Sequence, residues 1–246
     1  MDQLLTCLRQ QKKSAFKPKR WPERPPAIPT LRFSPLAWLK LQYLCHAGQT
    51  EVGAFGICPP DDLLYIQRIE TVLQGTTIAA VEFCDSSVAD HFDRCADEGI
   101  APERCGRIWI HTHPGSSAAP SFIDEETFAR VFGPCDWGVM FILSRTGNTY
   151  ARLRLNAGPG AAVLLPVSVD WLAWASLVEQ AGPDLPDHLR LWRHEYATNV
   201  YDLEVFGTRK AIEPIPSDPT VANHLEDYLE RLAFGEPGEE VCHDFV

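Results

Sequence analysis

Two histidines separated by one residue, His111-Thr112-His113, are followed by Ser121 and then by Asp124. Imidazole nitrogens and a carboxylate oxygen are ordinary ligands of zinc, with Zn–N distances of about 2.0–2.1 Å. The approach, Arg107-Ile108-Trp109-Ile110, is β-branched and aromatic, which predicts a strand. A strand has a side-chain period of two, so His111 and His113 project from one face about 7 Å apart along the backbone. Pro114-Gly115 ends that strand, and Ser116 to Ala119 form a small-residue loop leading to Pro120. Ser121 is a good N-cap, Asp124 and Glu125 favour a first turn, and Phe128, Val131 and Phe132 have helical spacing. A helix over Phe122–Phe132 would therefore set Asp124 at the mouth of the loop. Two nitrogens and one oxygen leave a fourth tetrahedral position for water, as in catalytic rather than structural zinc. Taken alone, Ser121-x-x-Asp124 also reads as a capping box with Asp for the usual Glu or Gln. Together with the His-x-His pair, it points to one metal ion.

The order His111-x-His113, seven residues, Ser121, two residues, Asp124 resembles the signature of the JAMM (MPN+, JAB) zinc metalloproteases. Thr50-Glu51-Val52-Gly53-Ala54-Phe55-Gly56 resembles the upstream acidic element of that family, with Glu51 at the glutamate position. The resemblance covers roughly Leu31 to Pro166 and is closest to the prokaryotic JAB group. It implies an α+β fold, an MPN/JAB-like mixed sheet with packed helices related to the cytidine deaminases. It implies one catalytic Zn2+ held by His111, His113 and Asp124, with Glu51 as general base and Ser121 as oxyanion donor. Glu82, in Val81-Glu82-Phe83-Cys84, is the rival base.

Such relatives cleave after the C-terminal glycine of ubiquitin or a ubiquitin-like protein, or process β-grasp sulfur-carrier proteins. The implied partner is a protein with a thin extended tail, met by a narrow groove and a free strand edge. A homodimer or a conjugation-system partner is compatible with this. Linkage-specific relatives carry a second zinc after the catalytic helix, but Glu125–Trp137 offers only Cys135 and no histidine, so no second metal is expected. Competing readings are a non-catalytic MPN scaffold, a RadC-like role with DNA, and a nucleotide deaminase. The last requires Pro-Cys-x-x-Cys, and Pro134-Cys135-Asp136-Trp137-Gly138 lacks the second cysteine.

Around the motif, Leu31-Arg32-Phe33 predicts a short strand, and Ser34-Pro35 opens a helix that Gly48 closes. Glu51 opens a strand through Ile57, Leu63–Val72 returns as another, and Ile78–Cys84 is β-rich. Ser86 or Ser87 is expected to cap a helix running to Gly99. Trp137–Leu143 and Thr149–Leu155 predict a hairpin, and Asn156–Gly160 reads as a boundary. Helical patterns follow over Val169–Gln180, Asp187–Glu204 and Val221–Phe234. His194-Glu195 begins an H-E-x-x-H pattern that fails at Thr198, so both are expected to be ordinary helix residues. The organisation is a basic, proline-rich arm over 1–30, a catalytic domain over 31–166 and a mainly helical extension over 167–246.

The 246 residues suffice for a substantial core, and the net charge of −11 disfavours a nucleic-acid binder. Basic residues concentrate before Arg24 and acidic ones after Glu213. Eight cysteines without a Cys-x-x-Cys pair suggest reduced, buried thiols in a cytoplasmic protein. The longest apolar run, Ala161–Val167, is too short to span a bilayer.

Overall fold

A computed structural model describes residues 28–172, 185–203 and 209–211. Of the expected basic arm, residues 1–27 lie outside that range, as do most of the helix expected over Val169–Gln180 and all of that over Val221–Phe234. The described residues form an α+β arrangement of three sheets and five helices. None of these helices is long and apolar enough to cross a membrane.

Six strands make the central sheet: β2 (Gly53–Ile57), β4 (Arg68–Glu70), β7 (Ile108–His113), β8 (Trp137–Ser144), β9 (Thr149–Leu155) and β10 (Ala161–Leu164). Their order is β10-β9-β8-β7-β2-β4. Only β7 and β8 run parallel in it; the other pairs are antiparallel. A parallel pair needs a crossover, and α4 (Phe122–Phe132) supplies it.

The central strands β7 and β8 are buried on both faces, which explains the near-continuous apolar run of β8. Ile108 and Ile110 of β7, with Val139, Phe141 and Leu143 of β8, point into the larger core. There they meet β1 (Leu31–Phe33) and α1 (Pro35–His46), with Phe33 and Phe141 rings 4.9 Å apart. Trp109, Met140 and Ile142 point the other way, onto Phe128 and Phe132 of α4. Each such apolar side chain contributes about 1.5–3 kcal/mol when fully buried. Strict alternation along β7 thus fixes its register and its faces.

Helix α1 starts as expected, with Pro35 in its first turn and Ser34 Oγ accepting from Ala37 N at 3.1 Å. Two other expectations need correction. The returning strand over Leu63–Val72 is split: β3 (Tyr65–Ile66) pairs with β1, whereas β4 pairs with β2. The chain changes sheets at Gln67, whose N–H donates to Ile57 and whose carbonyl accepts from Ser34 Oγ. Helix α2 (Asp85–Asp97) is preceded by Cys84 rather than capped by Ser86 or Ser87. Ser87 Oγ instead accepts from Leu73 N at 3.0 Å.

Residues 156–160 form the turn between paired strands β9 and β10, with Gly158 and Gly160 at φ of 62° and 70°. Beyond residue 166 the described chain is not only helical. Strand β11 (Val167–Val169) pairs with β1, and α5 (Leu185–Asn199) ends five residues before the expected Glu204. The chain then continues as β12 (Val200–Leu203). A third sheet has the order β13-β12-β5-β6, where β5 is Gln74–Thr76, β6 Val81–Phe83 and β13 Arg209–Ala211. His194 is exposed, but Glu195 pins α5 down. It accepts from Lys40 Nζ at 2.6 Å and from both Thr71 N and Oγ1.

Candidate metal centre

The alternation of β7 decides where the two histidines go. Trp109, His111 and His113 share the face covered by α4, while Thr112 points to the other. Strand β2 lies antiparallel beside β7, with Gly53 opposite His111 and Phe55 opposite Trp109. Glu51 precedes Gly53 by two residues, so extended backbone puts it on that same face, next to His113. The loop from Pro114 to Pro120 brings the chain back to Ser121. There the capping box forms: Asp124 N donates to Ser121 Oγ at 3.2 Å, and Ser121 N donates to Asp124 Oδ2 at 2.6 Å.

Three chain segments therefore deliver Glu51, His111, His113 and Asp124 to one point, each offering a ligand atom within 4.8 Å of the others. His111 Nε2 is 3.2 Å from Asp124 Oδ1, and His113 Nε2 is 3.6 Å from both Glu51 Oε1 and Asp124 Oδ2. Glu51, His111 and Asp124 are buried, and the His113 side chain retains 12% exposure. Despite this crowding, Glu51 Oε2, both nitrogens of His111 and Nε2 of His113 have no hydrogen-bond partner. Leaving such groups unsatisfied costs about 1–3 kcal/mol each. A cation shared among them would satisfy several at once, and the donor set of two imidazoles and carboxylates suits one. These residues could therefore hold a metal ion.

The electrostatics agree. Burial pushes the Glu51 carboxyl up, His113 opposes this and Asp124 reinforces it, leaving a pKa of about 7. Burial also acts on Asp124, but the His111 and His113 imidazoles and the Ser121 N–H outweigh it and hold the carboxyl well below the usual carboxylate range. Burial pushes His111 down against the pull of Asp124. For His113, burial is overcome by Asp124, the Ser117 carbonyl and Glu51, and the net shift is upward. An anionic Asp124 beside a neutral His111 suits a cation, whereas the upward shift of His113 means that its Nε2 proton must leave before it can bind one.

Several positioning groups carry no sequence signature. His113 Nδ1 lies 2.9 Å from the Ser117 carbonyl, which fixes that nitrogen as the N–H and turns Nε2 toward the centre. Buried Gln74 grips both backbone groups of Gly53, its Oε1 accepting from Gly53 N at 2.7 Å and its Nε2 donating to Gly53 O at 2.8 Å. Thr112 Oγ1 accepts from Val52 N at 3.0 Å, tying the Glu51 segment to β7. Gly53 must lack a side chain, because a Cβ there would stand 2.4 Å from the Phe83 ring. Gln74 is a lone amide beside a short strand, so only the fold reveals it; Thr112 at least stands between the histidines.

Of the expected residues, Ser121 sits at the exposed N-cap of α4, bonded to Asp124. No acceptor among the described residues takes its hydroxyl proton. Glu82 is exposed on β6 and lies outside the cluster. Among the described residues strand β6 is the edge of its sheet, and its Val81 and Phe83 side chains approach Gly53, directly opposite His111. A scan against protein-family models finds no match, and no curated protein matches the chain.

Proposed function

We propose that the chain is a zinc-dependent isopeptidase or peptidase of the JAMM type, built on an MPN/JAB-like domain. It cleaves after the C-terminal glycine of a ubiquitin-like protein. One observation carries the reading: two imidazoles, Asp124 and Glu51 converge within 4.8 Å with buried atoms that lack hydrogen-bond partners. His111, His113 and Asp124 would hold the ion, which supplies Lewis acidity and brings the pKa of water to about 7.

The remaining work falls to the chain. Glu51, with a carboxyl near 7, is tuned to accept a proton from attacking water at Oε2 and later to return it to the departing amine. Ser121, its hydroxyl proton uncommitted, donates to the oxygen that gains charge at the scissile carbonyl. The edge of β6 pairs with an extended substrate tail, and exposed Phe122 and Ile123 in the first turn of α4 add apolar contact. Maturation of a sulfur-carrier protein uses the same chemistry on the same kind of tail.

The test is zinc content together with hydrolysis of a ubiquitin-like protein fused through its terminal glycine to a reporter. Stoichiometric zinc and cleavage at that glycine are expected for the wild type, and His113→Ala loses both. Absence of cleavage in a zinc-replete chain would leave a metal-binding scaffold instead.

A further inference from the structure

A second cluster of ligand-type side chains lies over β2, on the same face of the sheet as the first, against Phe55 and Ile57. His91 and Cys95 are four residues apart on α2 and so share one helical face, while Cys105 ends α3 (Pro102–Cys105). One ligand atom from each lies within 4.8 Å of the others. All three residues are buried, at 0%, 2% and 0% exposure. His91 Nε2 and Cys95 Sγ are 3.8 Å apart. Tetrahedral zinc with ordinary Zn–N and Zn–S bonds holds such atoms about 3.5–3.8 Å apart.

The imidazole of His91 has a partner problem of its own. Nδ1 faces the Glu70 carboxylate at 3.1 Å, and Nε2 faces the Cys105 carbonyl, also at 3.1 Å. Both neighbours are acceptors, and an imidazole with a single N–H serves only one of them. With the proton on Nδ1 toward Glu70, the Nε2 lone pair is left without a donor, 3.1 Å from the Cys105 carbonyl and 3.8 Å from Cys95 Sγ. That is the carboxylate–histidine–metal relay that orients histidine ligands in zinc sites. Glu70 is in turn held by Arg68 Nε at 3.2 Å and Arg94 at 3.6 Å. The Phe55 ring, stacked on His91 at 4.9 Å, fixes the ring plane.

We propose that His91, Cys95 and Cys105 form a second, structural site for a soft divalent cation of the zinc type. The Cys105 carbonyl or a water stands at its fourth corner. The site is closed, as structural sites are, and thiolate-rich where the first centre has none. The expectation of no second metal rested on Glu125–Trp137, and these three residues lie outside that segment. Its place in the chain suggests its use: Cys105 is three residues before Ile108, so a cation there clamps α2 and α3 together at the entrance of β7. The proposal is independent of the hydrolase reading.

The full-length chain, produced in cobalt-supplemented medium and purified under reducing conditions, tests it. Cobalt bound to thiolates gives a near-ultraviolet charge-transfer band, which the nitrogen and oxygen donors of the first centre cannot produce. The band is expected in the wild type and at undiminished intensity in His113→Ala. It is expected to vanish in Cys95→Ala and Cys105→Ala and to shift in His91→Gln. Added zinc should displace it. No band in the folded wild type overturns the proposal. A band that survives in Cys95→Ala overturns it too, since other cysteines would then be the source. Should the cysteine variants fail to fold, the wild-type spectrum and its response to His91→Gln decide the question. Loss of cleavage alone bears only on the first centre.

Discussion

Strand β7 lies between two ligand clusters of opposite character. At its far end, His111 and His113 meet Glu51 and Asp124 beside a loop in which Gly115 to Ser117 are exposed. Just before its start, Cys105 meets His91 and Cys95 with no exposed member. The first set offers oxygen and nitrogen, includes two carboxylates, and reaches solvent through His113. The second offers sulfur and nitrogen and is sealed by Phe55, Phe92 and Ile57. Openness and a spare acid make a site that can turn over; closure and thiols make one that holds structure. The contrast shows that proximity of ligands does not by itself define a reactive centre.

Separate responses would sharpen this contrast, and shared responses would break it. His113→Ala should have the largest effect on turnover, lowering hydrolysis more than about 10³-fold with loss of one zinc by elemental analysis. Glu51→Gln should keep that zinc and still lose about 10²–10⁴-fold in kcat; wild-type activity would return the base to Glu82. The same variant has a stability signature in the metal-free chain. Glu51 is raised from 4.5 to about 7 by burial, so the folded state binds the extra proton. Its stabilising contribution is full below about pH 4.5 and disappears as pH rises through about 7. Thermal unfolding across that window should therefore show a decline in the wild type that Glu51→Gln flattens.

Ser121→Ala should lower kcat about 10²-fold with zinc retained, and remove about 1 kcal/mol of stability with the lost cap. An unchanged kcat with the same loss of stability would reduce Ser121 to its capping duty. Gln74→Ala leaves the N–H and carbonyl of Gly53 without partners and should cost about 1–3 kcal/mol in denaturant unfolding. Its effect on kcat should exceed its effect on KM, because the displaced element carries the base. Cys95→Ala should affect cleavage least. It lowers the melting temperature by several degrees yet leaves kcat unchanged where the chain remains folded.

Local chemistry explains which parts were legible beforehand. β7 and α4 occupy the residues expected of them, because alternating apolar side chains, Pro114-Gly115 and the Ser121 cap all act within a few residues. The convergence of His111, His113 and Asp124 followed from those two elements alone. Glu51 depended on its family-like context, and only the pairing of Gly53 with His111 gives its face a physical reason. The break at Gln67 was illegible because its cause is competition between two distant partners, β1 and β2. Glu195 was read as an ordinary helix residue, since Lys40 and Thr71 lie more than a hundred positions away. The His91–Cys95 spacing does carry a signal, a helical i,i+4 pair, though it contains no Cys-x-x-Cys.

The Asp124 carboxylate splits its two oxygens between unlike tasks. Oδ2 accepts from the backbone of Ser121, and Oδ1 faces the ring of His111. Aspartate is therefore not exchangeable for glutamate here, although both are acids. One more methylene would lift the head away from its own helix, and either the bond to the Ser121 amide or the approach to His111 would be lost. It also means that whatever docks between the rings tugs on a backbone amide that hydrogen exchange can watch. Protection at Ser121 would then serve as a built-in gauge of cargo in the pocket, with no substrate needed.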